Sequence, residues 1–360
     1  MSIPVIDPFG VAGDPEMPTL AAALDPAEVQ RRFGHGLPRL AGRAGARSAG
    51  PVPGAERVGC VCLQAIRVTR YKPGRRCVLE FDVVTDRPDA APEAVTLVGK
   101  VRRRRPGEAD YRLLSALWDA GFAADSPDGI SVPEPIGFVP ELQLWLQRKV
   151  PGPVATDLLA GPDGPALVER IAEAAHKLHQ AGVRSERRHT MADELRILRE
   201  RLPTLAEPGT RQERRIARLL DACDRLGAAI PEPAPRGIHR DFYPDQVIVD
   251  PGTGRRLFLI DFDLHCEGDP GLDIGNFLGH ITEQSLRALG DPQALADREQ
   301  AMEERFVALS GEATRAAVQA YATLTLVRHI HLSTLFPERR PFTSRLLELC
   351  EERLGHGHQP

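Results

Sequence analysis

Three polar side chains near the middle of the chain have the types and spacing for metal-assisted group transfer. His239-Arg240-Asp241 is followed, five residues after the aspartate, by Gln246, and Asp261 stands in Ile260-Asp261-Phe262-Asp263. Between them lie Val247-Ile248-Val249 and Leu257-Phe258-Leu259-Ile260, separated by Asp250-Pro251-Gly252-Thr253-Gly254. Gly and Pro supply turn dihedrals and the flanking residues favour strands, so the pattern predicts a β-hairpin. A hairpin returns the chain to its origin, which brings Asp241 and Gln246, before the first strand, to Asp261 at the end of the second. A carboxylate to take a hydroxyl proton, with an amide and a second carboxylate as oxygen ligands for Mg²⁺, is the set that phosphoryl transfer needs.

The elements that position this set can be read in order along 360 residues, of which 42% are hydrophobic and 27% charged, enough for a large core in two domains or one bilobal unit. The first 57 residues read as an N-terminal extension. It carries one helix from Leu20 to Phe33, with Leu20, Leu24, Val29 and Phe33 on one face, and a Gly- and Pro-rich connector from Gly36 to Gly54. From 58 to 150 the pattern is β-rich: strands over Val61–Thr69, Cys77–Val84, Ala94–Val101, Val132–Phe138 and Leu142–Arg148, with one helix over Glu108–Ala120. The turn between the first two, Arg70-Tyr71-Lys72-Pro73-Gly74-Arg75-Arg76, is cationic, and Gly74 would let its backbone approach a phosphate closely. Lys100, a single cation in an otherwise apolar strand, either snorkels or points at a ligand. Glu108 and Asp110 are its candidate partners.

From 151 to 360 the chain is helical, with amphipathic stretches over Leu167–Gln180, Met191–Arg201, Gln212–Leu226, Ile281–Leu289, Arg298–Leu309, Glu312–Leu332 and Ser344–Leu354. Asp273, beside a helix start, reads as an N-cap. His176 and His179, and His329 and His331, read as polar edges of packed helices rather than metal pairs, and His356 and His358 belong to the tail.

Composition narrows the function class. A net charge of −4 with both signs mixed gives no footprint for nucleic acid, and Arg102-Arg103-Arg104-Arg105 reads as a solvated strand end. No run of about 18 apolar residues is present, and the start lacks a basic region followed by an apolar one, so the expectation is a cytoplasmic protein with no membrane partner. The six cysteines form no C-x-x-C, which points to neither a zinc site nor a disulfide framework.

With these pieces in place, the chain resembles the aminoglycoside phosphotransferase and choline kinase-like family, near its maltokinase-like and amino-sugar kinase branch. The resemblance rests on His239-Arg240-Asp241 with Gln246, Ile260-Asp261-Phe262-Asp263, Gly268-Asp269-Pro270 with Asp273, Lys100, Val150-Pro151-Gly152 and Ala175-x-x-Leu178-His179, in that family's order over about residues 60 to 335. It implies an α+β, bilobal protein-kinase-like fold: a small antiparallel sheet in the first lobe and a larger, mainly helical second lobe. It implies an ATP- and Mg²⁺-dependent transfer of the γ-phosphate to a hydroxyl of a small molecule such as a sugar, amino sugar or aminoglycoside. Under that resemblance Asp241 is the catalytic base, and Gln246 and Asp261 hold Mg²⁺. Lys100 takes the α- and β-phosphates, Arg75 and Arg76 sit over the polyphosphate, and Gln147, on the strand from Gln143 to Lys149, lies against the adenine.

Two positions depart from the family pattern. Gln246 stands where Asn is usual, which moves the ligand oxygen by about 1.5 Å. This substitution also motivates an alternative, a catalytically weak nucleotide-binding pseudokinase. Arg240 stands where many small-molecule members have Gly, and an ion pair with Asp263, Asp269 or Asp273 is expected for it. The charges after Asp273, namely Glu283, Arg287, Asp297, Glu303, Glu304 and Arg305, form no evident acidic cluster, so a neutral or singly charged sugar suits the acceptor site better than a polycation.

Overall fold

The computed structural model describes residues 2–37, 40, 60–86, 91–103, 107–252 and 256–356. Most of the connector expected from Gly36 to Gly54, together with Arg104, Arg105 and His358, lies outside the described residues. The chain divides into two compact units, Met1–Pro151 and Gly152–Pro360.

The first unit is built on a six-stranded sheet. Its strands are β1 (Val5–Ile6), β2 (Cys60–Lys72), β3 (Arg76–Asp86), β4 (Glu93–Arg102), β6 (Pro135–Val139) and β7 (Leu144–Arg148), in the order β1-β2-β3-β4-β7-β6. A two-residue strand, β5 (Ile130–Ser131), precedes β6. All pairings within the six are antiparallel except β1, which runs parallel to β2 with Val5 opposite Ile66. The sheet is therefore mostly antiparallel, as expected, and made mixed by β1, a strand the sequence reading did not include. Two residues are too few for alternation to announce a strand in sequence.

Alternate residues of β3 and β4 are buried, as a one-sided sheet requires. The single helix expected over Leu20–Phe33 is two: α1 (Thr19–Ala23) and α2 (Pro26–Gly36). Pro26 has no N–H to continue α1, and Asp25, extended, instead caps α2 by accepting from Ala27 N at 2.9 Å. The apolar face is real, because Leu20, Val29 and Phe33 join the same core as Leu79, Phe81 and Leu97, with Phe33 edge-on to Phe81 at 5.1 Å. Helix α3 (Gly107–Leu117) follows β4 and buries Leu114 and Leu117.

The second unit is mainly helical: α4 (Gly164–Gln180), α5 (Met191–Arg201), α6 (Arg211–Ala228), α7 (Pro270–Gln284), α8 (Ala296–Ser310), α9 (Arg315–Leu335) and α10 (Thr343–His356). The turn and separate helix expected between Asp273 and Leu289 are one helix, α7, ending in a π-turn over Ser285–Leu289. Strands β8 (Arg236–Ile238) and β11 (Cys266–Gly268) pair antiparallel and enclose between them the hairpin of β9 (Val247–Val249) and β10 (Leu257–Leu259). Helix α7 lies close against α9, and Gly275 is what permits it: a Cβ there would meet Tyr321 Cβ at 2.5 Å and Val318 O at 2.6 Å.

Candidate active site

The β9–β10 hairpin forms as the sequence predicts, with Val247 opposite Leu259. Its pairing continues one step further, because Ile260 N donates to Gln246 O at 3.0 Å. That hydrogen bond fixes Gln246 beside the residue preceding Asp261. His239, fully buried, ties the other end: its Nε2 pairs with Ile260 O at 2.8 Å, and its ring packs against Phe262 with centroids 4.8 Å apart. Asp241, Gln246 and Asp261 are thus anchored to one short stretch of backbone.

The loop itself is held from α7. Asp273, fully buried, accepts from His239 N at 2.9 Å, from Arg240 N at 2.7 Å and from His179 Nε2 at 2.8 Å. Three residues on, and on the same helix face, Asn276 Nδ2 donates to Phe242 O at 2.8 Å. Burial opposes ionisation of Asp273, but the His179 hydrogen bond and the loop N–H groups outweigh it and hold its carboxyl below the usual carboxylate range. The N-cap of α7 is Asp269, which accepts from Gly271 N at 2.8 Å. Asp273, expected as the cap, instead brackets the loop. A cap and a bracket four residues apart cannot be told from each other until the loop is folded over them.

Arg240 and Asp261 both have left-handed backbone, with φ of 69° and 62°. Non-glycine residues tolerate this only where the surroundings over-determine them, and such positions cluster at working sites. The expected ion pair of Arg240 is not what joins it to α7: the backbone N–H meets Asp273, and among the described residues its guanidinium has no carboxylate partner within 4 Å. Asp241 is half-buried, and burial, reinforced by the nearby charge of Asp261, pushes its carboxyl above the usual range.

Gly152, with φ of 127°, brings the chain against β9. A Cβ there would fall 2.1 Å from Val249 O, and Val249 N donates to Pro153 O at 3.0 Å. Of the histidines set aside as metal pairs, His176 meets Ser310 Oγ at 2.9 Å and His179 meets Asp273. Among the described residues, no three His, Cys, Asp or Glu side chains are grouped to hold a metal ion by themselves.

In the first unit, Lys100 lies directly across from Val78 on β3 and Trp145 on β7, while Gln147 lies across from Val98. Directly opposed residues share a sheet face, so Lys100, Gln147, Trp145 and Val98 stand together on the face opposite the buried Leu97 and Val101. Lys100 Nζ lies 5.4 Å from the Trp145 ring centroid. Arg76, opposite Arg102, is on that same face, and Arg102 lies 3.7 Å from Asp110. Arg75 is exposed at the turn. The close backbone approach expected at Gly74 is made to the protein itself: Gly74 N donates to Asp14 Oδ2 at 2.9 Å, and Tyr71 Oη donates to the same oxygen at 2.7 Å. Mutual repulsion with Arg76 lowers the Lys72 ammonium, which marks this hairpin end as electropositive.

Residues 95–309 match the profile of the phosphotransferase enzyme family, and the chain belongs to that family. No curated protein is significantly similar to it in sequence. Its fold is found in a choline/ethanolamine kinase family protein from Mesorhizobium loti, with a TM-score of 0.55 at 16% identity over 93% of this chain and 95% of that one. A thermostable mutant of aminoglycoside phosphotransferase APH(4)-Ia gives 0.54 at 18% over 83% and 96%. A glucosamine kinase gives 0.51 at 14% over 92% and 100%. The two units are the lobes of the bilobal protein-kinase-like fold, a mixed sheet first and helices second.

Sequence reasoning missed Asn276 and the bracketing role of Asp273. The Asp-x-x-Asn spacing after Gly268-Asp269-Pro270 was the available signal. It also missed Glu194 and Arg328, which back the loop: Arg328 bonds Asn276 Oδ1, and Arg328 Nη1 lies 3.2 Å from Glu194 Oε2.

Proposed function

We propose that the chain is an ATP- and Mg²⁺-dependent O-phosphotransferase that transfers the γ-phosphate to a hydroxyl of a small molecule. The observation that carries this reading is the anchoring of Asp241, Gln246 and Asp261 to one hairpin, backed by Asp273 and Asn276, in a chain of the phosphotransferase family.

Asp241 orients the acceptor hydroxyl and takes its proton. Its carboxylate has no hydrogen-bond partner among the described residues and lines a cavity, which leaves its lone pairs available to a substrate hydroxyl. Gln246 and Asp261 are assigned to Mg²⁺. Gln246 is 5% exposed, and the hydrogen bond from Ile260 N to its backbone carbonyl keeps it beside the residue that precedes Asp261, a placement that suits a second oxygen ligand. Two such protein oxygens fit Mg²⁺, which takes one or two carboxylates and completes its shell from water and substrate phosphates. When bound, the ion neutralises charge on the phosphoryl oxygens. In the first unit, Lys100, Gln147, Arg75 and Arg76 are assigned to the nucleotide, Lys100 and Arg76 to its phosphates.

ADP release from Mg²⁺-ATP across sugars, amino sugars, amino alcohols and hydroxy acids tests the activity. Full turnover by Asp241→Ala would overturn the mechanism. Nucleotide binding by calorimetry with no phosphoryl transfer to any acceptor or to water would leave the pseudokinase reading that Gln246 motivates. Gln246→Asn separates the two further, since a misplaced ligand oxygen predicts higher turnover in the variant.

A further inference from the structure

Within the second unit a cavity of about 420 Å³ opens beside Asp241. Of Glu283, Arg287, Asp297, Glu303, Glu304 and Arg305, the first two line it; Glu303 and Glu304 face a different cavity, with Arg315. The other cations are Arg201 at the end of α5, Arg240 in the loop, Arg328 on α9, and Arg339 beyond α9, and the other acids are Glu194, Asp241 and Asp245.

The carboxylates of this cavity are largely engaged. Glu194 takes His189 Nε2 at 2.6 Å and Arg328 at 3.2 Å. Glu283 takes Arg287 Nε at 3.1 Å, and Asp245 accepts from Thr156 Oγ1. Asp241 is kept for the acceptor hydroxyl. On the cationic side, Arg201 and Arg240 have no carboxylate within 4 Å among the described residues, and Arg339 reaches Glu283 only at 3.9 Å while stacking over Phe336. A second feature points to a ligand independently. His329, 1% exposed, lines the cavity with its Nε2 buried and without a hydrogen-bond partner, its ring edge-on to His280 at 4.5 Å.

We propose that this cavity takes an acceptor that is both hydroxylated and anionic, a hydroxy acid or a phosphate ester. Its negative group is held by Arg201, Arg240 and Arg339, one of its polar groups by His329 Nε2, and its reacting hydroxyl by Asp241. This rests on the phosphotransferase reading and narrows it, and it replaces the neutral or amino sugar suggested by the sequence. Guanidinium forks that are unpaired, as at Arg201 and Arg240, or only loosely paired, as at Arg339, match carboxylate and phosphate oxygens, while an aminoglycoside would place its ammonium groups among them. Burial keeps His329 neutral, its pKa driven down to about 3, so it serves as a hydrogen-bonding group and not as a further cation.

The test is calorimetry on the full chain with matched sets: glucose, glucosamine, glucuronate, gluconate and glucose 6-phosphate, then glycerol, glycerate and glycerol 3-phosphate. At least one acid or phosphate ester is expected to bind ten-fold or more tightly than its neutral and amino counterparts, the two kinds of arm showing which anion is preferred. In the double variant Arg201→Gln/Arg339→Gln that ratio should fall to about two or less. Equal or tighter binding of the neutral or amino member, no binding by any anionic member, or an unchanged ratio in the folded variant overturns the proposal. ADP release with the same panel separates the two readings: anion binding without turnover leaves this site standing and removes the kinase assignment.

Discussion

Two polar turns in this chain, the strongly cationic hairpin tip around Gly74 and the loop from His239 to Asp241 with one cation and one acid, are built in opposite ways. At the tip, half-buried Asp14 satisfies Tyr71 and Gly74 beside exposed Lys72 and Arg75, and the surrounding cations lower the Lys72 ammonium by repulsion. In the loop, one fully buried carboxylate serves two backbone N–H groups and a histidine, and Asn276 and Arg328 support it from behind. A surface turn can adjust its side chains at small cost. A buried bracket cannot, because each lost partner leaves a polar group with neither protein nor water. The difference teaches where placement of a reactive group is rigid and where charge alone is offered.

The sharpest way to break the contrast is Asp273→Ala, which orphans His239 N, Arg240 N and His179 together. Removing one side of a buried charged pair costs about 3–5 kcal/mol, so chemical denaturation should show a loss of that order, with phosphotransfer lost as well. Asp241→Asn should act on chemistry instead. Turnover falls by about 10²–10⁴-fold, while the unfolding midpoint holds or rises because a half-buried charge opposed by desolvation is gone.

Gly275→Ala pushes α7 off α9 and moves Asp273 and Asn276 with it; overpacking of this kind costs about 1–3 kcal/mol. Thermal unfolding should show that loss together with a drop in kcat. A response confined to stability would mean that the loop is not positioned through the helix.

A pH experiment reads the buried neighbourhood directly. Burial drives His265 down to about 4, so the folded protein stays unprotonated there while the unfolded chain takes a proton below about 6.5. Its contribution to stability is present above about 6.5 and is lost as pH falls toward 4. Glu299, pushed up to about 7, works in the other direction between 7 and 4.5, so the comparison must be between variants. In His265→Gln the slope of unfolding free energy between pH 6.5 and 4 should change by as much as about 1.4 kcal/mol per pH unit relative to the parent. The smallest loss of stability is expected at the hairpin tip, where Asp14→Asn should lower the unfolding midpoint less than Asp273→Ala or Gly275→Ala does.

The fold was legible where periodicity is long. The alternation in β3 and β4 and the apolar stripes of α4, α5 and α6 placed these elements to within a few residues. Short or interrupted elements were not. β1 is two residues long, and the break between α1 and α2 lay hidden in an apolar face that runs through Pro26. No helix among the described residues is long and apolar enough to cross a membrane.

For the candidate site, sequence alone determined the hairpin and with it the meeting of Gln246 with Ile260, the residue before Asp261, because turn chemistry and strand length act locally. Only tertiary structure decided what holds that meeting in place. Asp273 lies more than 30 residues from the loop it brackets, and Arg201, at the end of α5, and Arg339, in the turn after α9, come together only around the cavity beside Asp241. Such pairings leave no mark on local spacing, since they exist only once distant segments have packed and the water between them is gone.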